Sequence, residues 1–190
     1  ADGIIGQMME KVEMHEMKPR RTAEEILKVA PWATTGKPAT RERNIITSLS
    51  LDADIQEKFN RKLKNKYEVI EENEVKFSEY MTDDAEYVFV AFGCSSRICE
   101  AVVDELRAEG IRAGLLRPIT LWPFPFSEIS GLAKKCRSMM SIELNLGQMV
   151  HDVRLAANGE CPVGFYGRQG GNIYTPEEIV GEFKKFNGLE

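Results

Sequence analysis

Short apolar runs alternate with amphipathic segments through residues 82–187 of the chain. The runs are β-prone and apolar throughout, which is typical of strands buried on both faces of a parallel sheet. They predict strands over residues 86–92, 111–116, 139–143 and 162–166. Because strands and helices alternate through short connections, the pattern predicts an α/β fold whose mostly parallel sheet is covered on both faces.

Residues at the segment boundaries predict where the helices begin and end. Ser95 or Ser96 is expected to cap the first helix, and Gly110 is expected to end it. The last helix has the clearest start, because Thr175 and Glu178 have the spacing of a capping box with a proline between them. The two helices in between are predicted to begin at Ser127 and Gly147.

The first 81 residues follow a different pattern, and we interpret them as an arm and linker preceding a domain at residues 82–190. A capping box at Thr22–Glu25 predicts a short helix in this arm. From Asp52, the expected N-cap, apolar residues recur every three or four positions, which predicts an amphipathic helix over about residues 52–80. Its single narrow apolar stripe would pack against one surface, either of its own domain or of a partner subunit.

Composition narrows the classes of function. Of 190 residues, 43% are hydrophobic, which suits a normal core. The net charge is −5 without a basic cluster, which argues against nucleic-acid binding, and no apolar run approaches the ~18 residues of a membrane span. The four cysteines lack zinc or iron–sulfur spacing, so we expect reduced thiols in a cytoplasmic protein. The chain starts without Met or a signal peptide, and we expect a piece of a longer protein.

The segment 140–154 holds the most informative charge, Glu143, at the end of a predicted buried strand and just before a helix. An unpaired buried carboxylate costs several kcal/mol, whereas a helix N-terminus returns only about 0.3–2 kcal/mol. Glu143 must therefore either contact water or have a cationic partner. We expect an arginine beside it, and the candidates are Arg117, Arg154 and Arg168. Arg117 ends the preceding strand, which places it at the same edge of the sheet. The alternative is a charge that only fixes the turn.

The segment Gly93–Arg97 is a second candidate, since it lies where a strand turns into a helix and backbone N–H groups could hold an anion. It matches neither standard glycine-rich phosphate motif, and its serines would cap the helix in any case. A free-standing flavodoxin-like module that binds a small anion here is our alternative function. No Ser/His/Asp set and no redox cysteine pair is recognisable, so no catalytic residue and no metal ligand is predicted.

Several motifs together resemble a known family. They are R-P-I-T-L-W-P-F-P at 117–125, E-L-N-L-G-Q-M-V-H-D-V-R at 143–154, A-D-G-I-I-G-Q-M-M-E at 1–10, P-W-A-T-T-G at 31–36 and F-Y-G-R-Q-G-G at 165–171. The chain resembles the C-terminal part of the α subunit of 2-oxoacid:ferredoxin oxidoreductases over nearly its whole length. It looks most similar to the branched-chain type, which acts on 3-methyl-2-oxobutanoate (ketoisovalerate), with the pyruvate and 2-oxoglutarate types related.

The resemblance implies a fold and an activity. The fold would be similar to the transketolase C-terminal domain, with three α/β/α layers and a five-stranded sheet that contains one antiparallel strand. The fifth strand is expected at residues 43–50 or after Thr120. The holoenzyme would oxidise a 2-oxoacid to an acyl-CoA and reduce ferredoxin, using thiamine diphosphate, Mg²⁺, iron–sulfur clusters and coenzyme A.

The resemblance also implies what this chain does within such an enzyme. The residues that activate thiamine or bind the clusters and Mg²⁺ belong to other domains or subunits, so the chain alone would bind no cofactor and be inactive. Its expected task is assembly with the thiamine-binding β and γ subunits and the ferredoxin-like δ subunit. The candidate interface or structural corner consists of Arg117, Trp122, Glu143, Asn145, Gln148, Arg154 and Arg168.

Overall fold

A computed structural model describes residues 14, 16–33, 36–37, 39 and 42–189 of the chain. The motif at residues 1–10 and part of the motif at 31–36 lie outside the described residues. The chain divides into two units, with a boundary between Lys64 and Asn65. Each unit is described by itself.

Among its described residues, the smaller unit contains the short helix α1 (Ala23–Val29) and the start of a long helix, α2 (Ala53–Asn73). The predicted capping box of α1 is confirmed: the Glu25 N–H donates to Thr22 Oγ1 at 3.3 Å, and the Thr22 N–H donates to the Glu25 carboxylate at 2.8 Å. The Asp52 carboxylate accepts the Ile55 N–H at 3.0 Å, which confirms Asp52 as the cap of α2.

The long helix ends earlier than its sequence pattern predicts. It stops at Asn73, and Phe77–Tyr80 forms strand β1 of the sheet, so the expected continuation of the helix to residue 80 is wrong. The expected position of the fifth strand, at 43–50 or after Thr120, is also wrong. The fifth strand of the sheet is β1. Backbone pairing decides the outcome: the Ile119 N–H donates to the Lys76 carbonyl at 2.9 Å, and β1 continues that ladder.

The larger unit is built on a five-stranded sheet in the order β1-β3-β2-β4-β5. Only β1 runs antiparallel, and it pairs with β3; the other neighbours are parallel, which confirms the mostly parallel sheet with one antiparallel strand. The remaining strands are β2 (Tyr87–Ala91), β3 (Ala113–Pro118), β4 (Ser138–Glu143) and β5 (Val163–Gly167). The helices are α3 (Gly93–Ala108), α4 (Phe126–Ala133), α5 (Met149–Ala157) and α6 (Pro176–Asn187).

The helices cover the sheet on both faces, which confirms the three-layer architecture. The buried residues of α3 and α6 pack on one face around Phe89 and Leu115, and those of α4 and α5 pack on the other around Val90 and Leu116. Neighbouring residues of a strand point to opposite faces, so each buried strand contributes to both layers. This is why apolar residues occupy neighbouring positions in the strands, as in Tyr87–Ala91 and at Met139 and Met140.

Two helices begin differently from the prediction. Helix α3 starts at Gly93 with Phe92 as its N-cap, and helix α4 starts at Phe126 with Pro125 as its N-cap, so neither is capped by a serine side chain. The predicted caps at Ser95, Ser96 and Ser127 are therefore wrong. Two other helix boundaries agree with the prediction. Gly110 follows the end of α3 with φ +85°, and the capping box at the start of α6 is confirmed.

Replacing Phe183 by Ala should lower the free energy of unfolding by about 3–5 kcal/mol, because a buried ring is lost and a cavity remains. The Phe183 ring is 1% exposed and packs 5.2 Å from Tyr87 and 5.3 Å from Phe89 between ring centroids. Urea unfolding measures the change. Phe186→Ala on the same helix is the matched control, since Phe186 is 40% exposed and its loss should cost much less. Equal losses for the two variants would contradict the packing described.

Candidate functional site

The carboxyl ends of the parallel strands meet at one edge of the sheet, where β2, β4 and β5 end at Ala91, Glu143 and Gly167. In open α/β sheets this edge is where ligands and partners are bound. A pocket of about 220 Å³ lies here. It is lined by Phe92, Leu121, Phe124, Glu143, Asn145, Gln148, Met149 and Asp152.

Glu143 is fully buried at this edge, and its carboxylate caps the N-terminus of helix α5. The Gln148 and Met149 N–H groups donate to Oε2 at 3.1 and 2.8 Å, and the Val150 N–H donates to Oε1 at 2.8 Å. The Ser141 hydroxyl donates to Oε1 at 3.0 Å. Four donors thus satisfy one carboxylate, and the same contacts satisfy backbone N–H groups that the first turn of any helix leaves free.

These donors decide the protonation state of the buried acid. Burial alone would raise the pKa of Glu143, since the charged form loses water. The backbone N–H groups of the α5 N-terminus, together with the Asn145 side chain, favour the charged form and lower the pKa below its ordinary value. The carboxylate is therefore ionised at neutral pH, and it acts as an acceptor within the fold.

The predicted arginine partner of Glu143 is wrong. Arg168 pairs with Glu178 at 2.6 Å, and only its backbone N–H contacts the Glu143 carbonyl, at 3.2 Å. Arg117 and Arg154 have exposed side chains. The prediction counted only the dipole of α5. Three direct hydrogen bonds from its backbone N–H groups to an ionised acceptor stabilise the carboxylate more than the dipole alone would.

The backbone around this corner is close-packed, and Gly167 shows how closely. A Cβ atom at Gly167 would lie 2.4 Å from the Asn145 carbonyl oxygen and 2.5 Å from the Phe165 ring. The turn also needs Gly147, which has φ +102°. The Gly147 N–H donates to Asn145 Oδ1 at 2.6 Å, so the segment between β4 and α5 is fixed by side chains of its own sequence.

Exposed apolar side chains lie in the segments that follow β3 and β4, and one of them, Leu121, lines the pocket. Trp122 is 54% exposed and Leu146 is 80% exposed, and the Trp122 ring packs edge-to-face on Tyr67 at 5.5 Å. We define the apolar rim as Ile119, Leu121, Trp122, Phe126 and Leu146. Of the predicted interface residues, Asn145 and Gln148 line the pocket beside Glu143, and Trp122 belongs to the rim. Sequence reasoning missed Leu121 and Leu146, although both follow turn residues and lie outside any amphipathic pattern.

The Gly93 turn uses its hydroxyl groups internally. The Ser96 hydroxyl donates to the Gly93 carbonyl at 2.7 Å, and the Ser95 hydroxyl shares a hydrogen bond with the buried Tyr174 hydroxyl. Burial is the main cause that raises the pKa of Tyr174, so this phenol stays neutral. An anion at this turn would find backbone groups but no free serine hydroxyl, and nothing here favours the anion-binding alternative.

The described residues do not fit a metal or iron–sulfur centre. In the described ranges, no three His, Cys, Asp or Glu side chains come close enough to hold a metal ion. Burial raises the pKa of Cys136 to about 12 and raises the pKa of the Cys99 and Cys161 thiols as well, whereas a cluster ligand must be a thiolate. Among the described residues, no helix is long and apolar enough to cross a membrane.

Comparisons with known proteins agree with this architecture. The family described as pyruvate:ferredoxin oxidoreductase core domain II matches residues 85–179. The ketoisovalerate oxidoreductase subunit VorB of Methanothermobacter marburgensis is 42% identical over 188 residues, covering 99% of this chain and 51% of the relative. The chain therefore spans about half the length of the VorB relatives it matches.

Solved structures support the fold alone. A 2-oxoglutarate:ferredoxin oxidoreductase from Magnetococcus marinus, solved with 2-oxoglutarate, coenzyme A and succinyl-CoA bound, superposes with a TM-score of 0.62 at 23% identity. That match covers 72% of this chain and 24% of the other. A split-gene transketolase, an inactive β4 tetramer, gives a TM-score of 0.50 at 18% identity over 58% of this chain and 40% of its own. The expected likeness to transketolase is confirmed.

Replacing Glu143 by Gln should lower the free energy of unfolding at pH 7 by about 1–3 kcal/mol, because a carboxamide NH₂ group would face backbone N–H donors. Chemical denaturation at several pH values measures this. Folding lowers the pKa of Glu143, so its stabilisation is complete above the ordinary value of 4.5 and is lost as pH falls through the folded pKa. The difference between wild type and variant should therefore shrink below that pH.

The exposed Glu160→Gln is the matched control for this substitution. It should leave the free energy of unfolding within about 0.5 kcal/mol of wild type, as surface changes usually do. A Glu143→Gln variant as stable as wild type at pH 7 would contradict the role of the carboxylate as the cap of α5.

Replacing Gly167 by Ala should be strongly destabilising, because the new methyl group would overlap the Asn145 carbonyl and force β4 and β5 apart. We expect a loss of about 1–3 kcal/mol, the usual cost of an overpacked site. Gly181→Ala provides the control with the opposite sign, since Gly181 lies inside α6 with no atom near its would-be Cβ. That change should stabilise the chain by about 0.4–1 kcal/mol, and thermal unfolding compares the two.

Proposed function

The chain belongs to the 2-oxoacid:ferredoxin oxidoreductase family, and we propose that it forms the C-terminal part of the α subunit of a branched-chain type of this enzyme. Identity to the ketoisovalerate oxidoreductase subunit VorB extends over 99% of the chain, which supports this type. The holoenzyme would be a cytoplasmic protein that converts 3-methyl-2-oxobutanoate to the corresponding acyl-CoA and passes the electrons to ferredoxin.

The chemistry of this reaction would be carried by other parts of the holoenzyme. Thiamine diphosphate with Mg²⁺ would supply the decarboxylating carbanion chemistry, iron–sulfur clusters would carry electrons, and coenzyme A would accept the acyl group. The described residues do not fit a metal centre, and the Glu143 carboxylate already accepts hydrogen bonds from the N-terminus of α5. The role that remains for this chain is to shape the holoenzyme and hold its subunits together.

The apolar rim is the observation that carries this assembly role. Five large apolar side chains are exposed along one edge of the sheet, where Leu146 is 80% exposed and Trp122 is 54% exposed. Large apolar side chains left exposed near one another mark candidate protein contact sites. Glu143 fixes the segment that carries Leu146, so the rim is presented on a rigid support. We infer that the rim contacts the thiamine-binding β or γ subunit or the rest of the α subunit.

The substrate assignment is tested on the anaerobically prepared complete enzyme, in which the full subunit is assembled with its partners. Ferredoxin reduction is measured with 3-methyl-2-oxobutanoate, pyruvate and 2-oxoglutarate, each with and without coenzyme A. We expect the highest kcat/KM with the branched-chain acid and activity that requires coenzyme A and thiamine diphosphate. A higher kcat/KM with pyruvate or 2-oxoglutarate would overturn the branched-chain assignment.

The assembly role is tested by Leu146→Glu in the full subunit. A charge placed at the centre of an apolar contact should weaken subunit association at least tenfold, a loss of about 1.4 kcal/mol, while the unfolding of the isolated subunit stays unchanged. Leu155→Glu is the matched control, because Leu155 is 68% exposed on the last turn of α5, away from the rim. Size-exclusion chromatography with light scattering reads out association, and equal behaviour of both variants would contradict the role of the rim.

A further inference from the structure

Two thiols that no part of the proposed function uses lie in contact at the opposite edge of the sheet. The sulfur atoms of Cys136 and Cys161 are 3.7 Å apart, and the residues are 25 positions apart in sequence. Cys136 lies two residues before the start of β4, and Cys161 lies two residues before the start of β5. The pair therefore sits where two neighbouring parallel strands enter the sheet.

The backbone holds both residues in place. The Cys136 N–H donates to the Leu132 carbonyl at 2.9 Å, and the Met139 N–H donates to the Pro162 carbonyl at 2.9 Å, which ties the two strand entrances together. A disulfide bond requires the sulfurs to approach to about 2.05 Å. The sulfur atoms must therefore move about 1.7 Å closer than their present 3.7 Å for the bond to form.

The other two cysteines provide a contrast. Cys94 and Cys99 lie on helix α3, where residues five apart face different sides, so they cannot meet. Cys99 is 0% exposed, whereas Cys136 is 9% and Cys161 is 7% exposed. Cys94 is 8% exposed, which is in the same range as the pair. What distinguishes Cys136 and Cys161 is therefore the contact between their sulfur atoms.

We propose that Cys136 and Cys161 form a modification site, at which a peroxide joins the two sulfurs in a reversible disulfide that links the entrances of β4 and β5. One thiol releases its proton, and the thiolate attacks a peroxide oxygen. The O–O bond breaks to give a sulfenic acid and hydroxide, and hydroxide takes up the released proton to become water. The second sulfur then displaces the sulfenic oxygen as water and forms the S–S bond. The two thiols lose two electrons and the peroxide gains them, and a dithiol reductant reverses the change.

Burial of the two sulfur atoms slows this reaction. Loss of water around the sulfurs raises the pKa of both thiols, so the reactive thiolate is scarce and low peroxide concentrations leave the pair reduced. The proximity of the second thiol favours the disulfide over further oxidation, because the sulfenic acid is formed in contact with its partner. The linked state would then close a loop between two residues 25 positions apart, and this loop includes all of β4 and α5.

The experiment uses the full subunit in its assembled complex, isolated without oxygen and then treated with hydrogen peroxide. Remaining thiols are alkylated under denaturing conditions before trypsin digestion. Trypsin leaves Cys136 on the dipeptide Cys136–Arg137 and Cys161 on the peptide Leu155–Arg168. We expect a species with the summed mass of the two less two hydrogens, and its loss after treatment with a dithiol. Cys94 and Cys99 should remain alkylated.

The matched variants are Cys161→Ser, which should abolish the linked species, and Cys94→Ser, which should leave it intact. The wild-type mass measurement stands even if a variant fails to fold. The proposal is overturned if peroxide leaves Cys136 and Cys161 fully alkylatable, converts them to unlinked sulfinic acids, or links either one to a different cysteine.

Discussion

The contact between the Glu143 carboxylate and the first N–H groups of α5 is the interaction on which the carboxyl edge of the sheet depends. It joins the end of β4 to the start of α5 through bonds of 2.8–3.1 Å in a fully buried setting. A buried charge is tolerated only where its donors replace the lost water, and here the donors are groups that would otherwise be unsatisfied themselves. The same hydrogen bonds thus offset both the cost of burying the carboxylate and the cost of leaving the first N–H groups of α5 without acceptors.

This contact also changes what the edge can bind. The N-terminus of a helix at such an edge commonly holds an anionic ligand, but at α5 the protein's own carboxylate already occupies that position. The start of α3 is similar, since Ser95 and Ser96 donate or share their hydroxyl hydrogens within the fold. What the edge presents outward is apolar instead: the side chains of the rim. A surface of this kind suits a protein contact better than a phosphate.

Sequence reasoning succeeded where the controlling interactions are local. The capping boxes at Thr22 and Thr175 join residues three apart, and each of the four parallel strands contains neighbouring apolar residues, so both features can be read directly. Strand β1 could not be predicted in this way, because its residues fit a helical stripe equally well. They form a strand by pairing with β3, about forty positions later in the chain. The partners of Glu143 were missed for a related reason. Every residue except proline has a backbone N–H group, so the residue types do not show which of these groups contact Glu143. Side-chain types alone indicate only an arginine as a partner.

The two ends of the sheet differ in what holds them together. The carboxyl edge is fixed by the ionised Glu143 and by glycines packed too closely to admit a side chain, as at Gly167. The amino edge carries the Cys136–Cys161 pair, which lies at the far end of β4 from Glu143. Strand β4 pairs with β2 on one side and with β5 on the other from its first residues to Glu143. A covalent link at the amino edge would therefore strengthen the support of the corner without altering the apolar rim, which allows oxidation and subunit contact to coexist on one small domain.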